Sequence, residues 1–320
     1  MSEPLLVVRG LSVEYREREL FGHGRRVPAV EDVSLEICRG ETLALVGESG
    51  SGKSSLAQAI VRLVDVSAGE IRFAGDDVLA ARGESLRRLR RGMQLVFQDS
   101  ATALNPRMRV GDAVAEGLII HQLVPPAERA GRVAQLLEEV GLDQSLASRY
   151  PRDLSGGQRQ RVGIARALAV DPALLICDEP VSALDVSIQA QILALLRGLQ
   201  QRRGMAGLII AHDLAVVRQV AQRTMVMYLG RVVESGPTEA ILASPRHPYT
   251  QALIASAPDP DPSLGEVTPA LRSDLSTARP EGGCPFEPRC THPRRDARCR
   301  AERPALREEG GVSSACHYGP

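Results

Sequence analysis

The chain has 320 residues, enough for one large domain and a smaller companion, and its 43% hydrophobic and 24% charged content is that of a globular protein. Lys plus Arg and Asp plus Glu both total 39, so no excess of positive charge is available to hold a polyanion, which argues against nucleic acid as a partner. No apolar run approaches the roughly 18 residues that span a bilayer, and the opening "MSEPLLVVRG" lacks the pattern of a secretory leader; the expectation is a cytosolic chain whose membrane role, if any, comes through a partner.

In chain order, "LLVVRGLSVEY" and "VEDVSLEI" read as antiparallel strands joined by the polar, Gly-containing "RERELFGHGRRVP". The buried strand "TLALV" (42–46) runs into "GESGSGKSS" (47–55), and an apolar-periodic helix "KSSLAQAIVRLV" follows. "MQLVF" (93–97) is a further buried strand. From about 99 to 155 the pattern is helical, with "VGDAVAEGLII" and "PAERAGRVAQLLEEVGL", and predicts an inserted helical subdomain. Strands and helices then alternate through "ALLIC", "SIQAQILALLRGLQQ", "GLIIA", "LAVVRQVAQ" and "TMVMYL", which argues for an α/β core with a mainly parallel sheet. After about residue 245 the chain turns rich in Pro, Asp, Arg and Ser.

The stretch Gly47-x-x-x-x-Gly52-Lys53-Ser54 between a strand and a helix is a phosphate loop. Its glycines, Gly47, Gly50 and Gly52, let backbone N–H groups curl around phosphates without Cβ clashes, and Ser49 and Ser51 lie between them in the nucleotide-binding loop. Lys53 reaches the β- and γ-phosphates, Ser54 ligates Mg²⁺, and Ser55 continues the helix start whose dipole favours an anion. A Gly/Ser linker needs neither the Lys-Ser pair nor the flanking strand and helix.

"ALLICDEP" (173–180) is an apolar strand ending in two acids. Asp178 is placed to hold Mg²⁺ and Glu179 to polarise the attacking water, although such a pair standing alone would be a surface turn. "LSGGQ" (154–158) puts Ser155, Gly156, Gly157 and Gln158 at a second helix start, again an anion site, with Val162, Ala165 and Leu168 on one face of the helix.

"LSGGQ", the phosphate loop and "CDEP" together resemble the ATP-binding cassette family over about residues 5–236. The resemblance implies a RecA-like P-loop ATPase core with an antiparallel β subdomain and an inserted helical subdomain, and two cassettes paired head to tail around ATP. It also implies that Gln98 in "VFQD" senses the γ-phosphate and contacts Mg²⁺. The loop 182–185, with Asp185, would touch the opposite subunit, His212 in "IIAHD" would contact the γ-phosphate, and Tyr15 would stack on adenine. The soluble relatives that act on DNA or ribosomes carry two cassettes or a long coiled coil, unlike this chain.

"SPRHPYTQALIASAP" (244–258) with the cysteines after it resembles the ATPase subunits of oligopeptide/dipeptide importers, a branch that includes nickel and glutathione transporters. "ALNPRMRVG" (103–111) resembles the second of their two paired ATPase subunits. These likenesses imply a heterodimer with another ATPase, two membrane permease subunits and an extracytoplasmic peptide-binding protein, at the cytoplasmic side of the inner membrane. The domains are then 1–245, the nucleotide-binding domain, and 246–320, the C-terminal region.

Of six cysteines, four lie in the last forty residues as Cys284-x5-Cys290-x8-Cys299-x16-Cys316. In a reducing compartment such a set suggests metal rather than disulfides, and four thiolates suit an iron–sulfur cluster. The resemblance implies a [4Fe–4S] cluster. Zinc, a site with His292 or His317 replacing one thiol, disulfides, free thiols and a redox-regulatory role all remain open. Cys38 and Cys177 read as small buried hydrophobes.

Overall fold

The computed structural model describes residues 3–16, 26–98, 103–182, 184–256 and 282–319. Ala183, most of the loop "RERELFGHGRRVP", the first residues of the helical segment and the Pro-rich stretch 257–281 lie outside the described residues.

The first third of the chain holds β1 (Pro4–Arg16), β2 (Arg26–Cys38), β3 (Thr42–Val46), α1 (Lys53–Ile60), β4 (Ala68–Phe73), β5 (Asp76–Asp77), α2 (Gly83–Gly92) and β6 (Met93–Val96). The helices α3 (Val110–Ile120), α4 (Arg129–Glu139) and α5 (Gly156–Leu168) follow. Then come β7 (Leu174–Asp178), α6 (Val186–Arg203), β8 (Ala206–Ala211), α7 (Leu214–Val220), β9 (Arg223–Tyr228) and β10 (Arg231–Pro237). The C-terminal part contains α8 (Thr238–Ala243), α9 (Pro248–Ala255), α10 (Ala297–Ala301), β11 (Arg307–Glu309) and β12 (Val312–Ser314). Contacts divide these into two compact units, one of residues 1–6, 36–41 and 72–210, the other of 7–35, 42–71 and 211–320.

In the first unit β6, β7 and β8 are parallel neighbours, in register at Val96↔Cys177 and Ile176↔Leu208. Every residue of β7 and β8 is buried, as parallel strands covered on both faces are. Beside them α3, α4 and α5 bury Val114, Leu118, Leu136, Leu137, Val162 and Leu168 against one another. The stretch expected to be helical contains helices and short 3₁₀ turns, and no strand among its described residues. The helix α6 stops at Gly204, whose φ of 60° is the left-handed C-terminal turn glycine adopts most readily.

In the second unit β3 runs parallel to β9, while β10 returns antiparallel to β9 with a bulge between Val232 and Glu234. β12 adds antiparallel to β10, with Glu234↔Ser314, and β11 closes a hairpin on β12, so the sheet is mixed. The Cys-rich tail therefore joins a sheet and buries Phe286, Val312 and Ala315. The strand β1 lies between β2 and β4, with Gly10 N–H donating to Ser34 Oγ and Ser67 N–H to the Ser12 carbonyl. The helix α1 is shorter than its apolar pattern: it stops at Ile60, and Arg62 at φ 57° turns the chain out of it. Cys177 is buried as expected, whereas Cys38, at the end of β2, is only half-buried.

Candidate functional site: a phosphate loop and an acidic strand end

The fully buried β3 delivers the chain into the phosphate loop. Two of its glycines are required by close approach. A methyl on Gly47 would lie 2.2 Å from the Met227 carbonyl oxygen, and one on Gly52, at φ 99°, 2.3 Å from the Ala29 carbonyl oxygen. Lys53 is 4% exposed, and its ammonium is met by the carbonyls of Gly47 and Glu48, both at 2.8 Å, and by Ser51 Oγ at 3.2 Å. A buried charge needs such partners, and these place the cation inside the curl of the loop. Ser51 is buried, Ser54 and Ser55 half-buried, and Ser49 and Gly50 exposed at the loop tip. The first turn of α1 carries no acidic residue, so its positive end is left for an anion. Tyr15 is 41% exposed and donates from its hydroxyl to Ser55 Oγ at 3.2 Å, which brings the expected adenine-stacking ring to the start of α1.

In the other unit β7 ends at Asp178, which is buried. The next residue, Glu179, has φ 44°, a left-handed backbone that an acidic side chain adopts at a cost. Its N–H donates to the Ile210 carbonyl at 3.1 Å, and its Oε2 accepts from Gln98 Nε2 at 2.7 Å. The structure thus joins two of the expected catalytic residues that lie 81 positions apart. His212 follows β8 immediately and is exposed.

Ser155 caps α5: its Oγ accepts from Gln158 N–H at 3.2 Å, and Gln158 Oε1 accepts from Ser155 N–H at 2.9 Å. Ser155 is exposed, and the amides of a helix's first turn have no partner inside the helix. A methyl on Gly157 would come within 2.7 Å of Ile188 Cγ2, and one on Gly156 within 3.3 Å of Leu184 Cδ2. Glycine here lets Leu184, and Ile188 at the start of α6, pack against the "LSGGQ" turn. Asp185, at the N-cap of α6, is exposed, and Val186 beside it is 81% exposed.

Residues 30–182 match the family model described as ABC transporter, and residues 233–299 match that of the oligopeptide/dipeptide transporter C-terminal region. A probable peptide ABC transporter ATP-binding protein, y4tS, of Sinorhizobium fredii is 48% identical over 99% of this chain and 90% of its own. The di/tripeptide transport ATP-binding protein DppF of Pseudomonas aeruginosa is 43% identical over 99% and 98%. The chain is an ATPase subunit of the oligopeptide/dipeptide ABC importer family. Among solved structures, the ATP-binding cassette MJ0796, described as a dimer in a post-hydrolysis state with ADP and Pi, superposes with a TM-score of 0.66 at 29% identity, covering 73% of this chain and 98% of that one.

In this importer ATPase the four tail cysteines line one small cavity, of about 20 Å³, together with His247, Phe286, His292, His317 and Tyr318. None of the six cysteines is in a disulfide. Among the described residues no group of three or more His, Cys, Asp or Glu is arranged to hold a single metal ion. Burial pushes the Cys284 thiol up to about 11 and raises Cys290 and Cys316 as well. No helix among the described residues is long and apolar enough to cross a membrane. Sequence reasoning passed over Glu48, Tyr249 and Arg289, which meet at the phosphate loop. The available signal was Glu48 itself, an acid inside a loop built for anions.

Proposed function

We propose that the subunit binds MgATP through Lys53, Ser54, Gln98 and Asp178 and hydrolyses it with Glu179 as base, powering peptide uptake across the cytoplasmic membrane. The observation that carries this reading is the Lys53 ammonium held inside the curl of the phosphate loop. The backbone amides of residues 49–55 bind the phosphates and Tyr15 stacks on the adenine. With Gln98 Nε2 committed to Glu179, the Gln98 side-chain oxygen is the atom left to face a cation. A hard oxygen donor set of hydroxyl, amide and carboxylate suits Mg²⁺. His212 assists at the γ-phosphate.

ATP is completed from outside by a second ATPase subunit, whose "SGGQ" turn faces the phosphates, while Ser155, Gly156, Gly157 and Gln158 of this chain serve the partner's nucleotide. The exposed Ser155, Asp185 and Val186 support such a face. Two permease subunits and an extracytoplasmic peptide-binding protein complete the importer and hold the chain at the inner face of the membrane. Peptide uptake by the reconstituted transporter tests the whole. Lys53→Ala should abolish both uptake and ATP turnover, and uptake that persists without Lys53 refutes it.

The thiols of Cys284, Cys290, Cys299 and Cys316 hold a [4Fe–4S] cluster. The fit rests on the donor set: four free cysteines, separated widely in sequence, line one cavity. Iron and acid-labile sulfide assayed on anaerobically purified protein decide this. Zinc alone, or thiols without metal, would overturn it.

A further inference from the structure

Glu48 is the second residue of a loop that receives a triphosphate, and its charge has the wrong sign for that task. All its polar atoms are engaged. Its N–H donates to Tyr249 Oη at 2.8 Å, and its carbonyl accepts from Lys53 Nζ at 2.8 Å. Its two carboxylate oxygens accept the two Nη atoms of Arg289, each at 2.8 Å. The Arg289 side chain is 11% exposed and that of Glu48 21%, so water screens the pair only partly.

Arg289 belongs to the cysteine-bearing tail. It ends the 3₁₀ turn Glu287–Arg289, between Cys284 and Cys290, and Cys284 N–H is tied to the Cys299 carbonyl at 2.8 Å. The guanidinium lies 5.8 Å from the centre of the Tyr228 ring and 5.9 Å from that of Phe286. Tyr228 in turn packs on Tyr249 at 4.6 Å and on Phe286 at 5.3 Å. A wall of three aromatic rings therefore fixes the cation that neutralises the loop's own acid.

We infer that Arg289 is a positioning residue for the phosphate loop, through which the cysteine-bearing tail sets the affinity for ATP. Arg289 cancels the Glu48 charge and holds the loop in the curl that presents its amides, so ATP does not have to supply that order itself. By linkage, bound ATP must steady the tail to the same degree. The inference rests on the loop binding ATP, and is independent of the transported solute and of what the thiols hold.

The test is a cycle of Arg289→Gln, Glu48→Gln and the double variant in the full chain, with MgATP affinity measured by titration. Arg289→Gln should raise the Kd for MgATP about fivefold, at the low end of coupling between sites. The KM of the assembled importer should rise more than kcat falls. Glu48→Gln, which removes the acid together with the tether, should weaken binding less than Arg289→Gln does, and the double variant should match Glu48→Gln, because Arg289 then has no charge left to cancel. Arg289→Lys, which keeps the charge, should restore most of the affinity. Hydrogen exchange in the 284–299 segment should slow when ATP binds to wild type, and that response should vanish in Arg289→Gln. An unchanged Kd in Arg289→Gln, or a double variant as weak as Arg289→Gln alone, overturns the inference. Should Arg289→Gln fail to fold, Arg289→Lys and the wild-type exchange decide: no ATP-dependent protection in the tail is equally fatal.

Discussion

Replacing Glu179 by Gln should separate holding ATP from cleaving it. Glu179 stands one residue beyond β7 at φ 44°, with its Oε2 accepting from Gln98 at 2.7 Å. Glutamine keeps the shape and an oxygen to accept the same bond, so the fold loses only the difference between a charge-assisted and a neutral hydrogen bond, about 1 kcal/mol. The left-handed backbone costs both side chains alike, and the midpoint of thermal unfolding should fall by only about 2–4 °C. Hydrolysis, by contrast, loses its carboxylate base, worth about 10²–10⁴-fold, or about 3–5 kcal/mol on the barrier. Phosphate release by the assembled importer at saturating MgATP, alongside the Kd for ATP, reads both quantities. Turnover should collapse with ATP still bound, and an ATP-dependent dimer should accumulate on size exclusion. Turnover within about threefold of wild type would refute the assignment of Glu179 as base, because no general base contributes so little.

Gly52→Ala should abolish ATP binding, since the added methyl meets the Ala29 carbonyl oxygen at 2.3 Å and φ 99° is strained for alanine by about 1–3 kcal/mol; equilibrium titration with MgATP checks it. Ser155→Arg, on an exposed turn, should lower the thermal midpoint by only about 2–4 °C through loss of the α5 cap, while preventing the ATP-dependent dimer of the Glu179→Gln background, as light scattering would show. The Arg203 guanidinium, paired with Glu139 at 2.6 and 2.7 Å, holds that carboxyl below its usual range. A depressed carboxylate contributes stability above the unfolded-state value of about 4.5, and the contribution is lost as pH falls through the lower folded value. Glu139→Gln should therefore cost about 1 kcal/mol at neutral pH and progressively less in acid, read from urea midpoints across the pH range.

The parts of the site legible in sequence are those where a few consecutive residues carry both the chemistry and the backbone that presents it. The loop 47–55 shows its glycines, its lysine and its flanking strand and helix at once. Likewise "ALLICDEP" shows that the buried strand β7 ends in two acids. Helix lengths were less legible. The apolar pattern after Lys53 runs on past Ile60, and only the left-handed turn at Arg62 ends α1. The pairing of β12 with β10 had no sequence signal at all. Three-residue strands such as "VSS" and "REE" are too short to show alternation, and their stability comes from the edge they join.

The link from tail to loop was hidden for a different reason. Glu48 and Arg289 lie 241 positions apart, and neither has a local partner that would reveal the other. The clue lies in an electrostatic conflict: an acid placed where anions dock needs a cation from somewhere, and nothing near it in sequence except Lys53 can supply one. Lys53 is committed to backbone carbonyls and Ser51 in this arrangement and is the charge the phosphates require. A second cation has to arrive from a distant segment, and Arg289 arrives on a short turn fastened by its neighbours Cys284 and Phe286. A charge of the wrong sign inside a binding motif therefore points beyond the motif, to the part of the fold that corrects it.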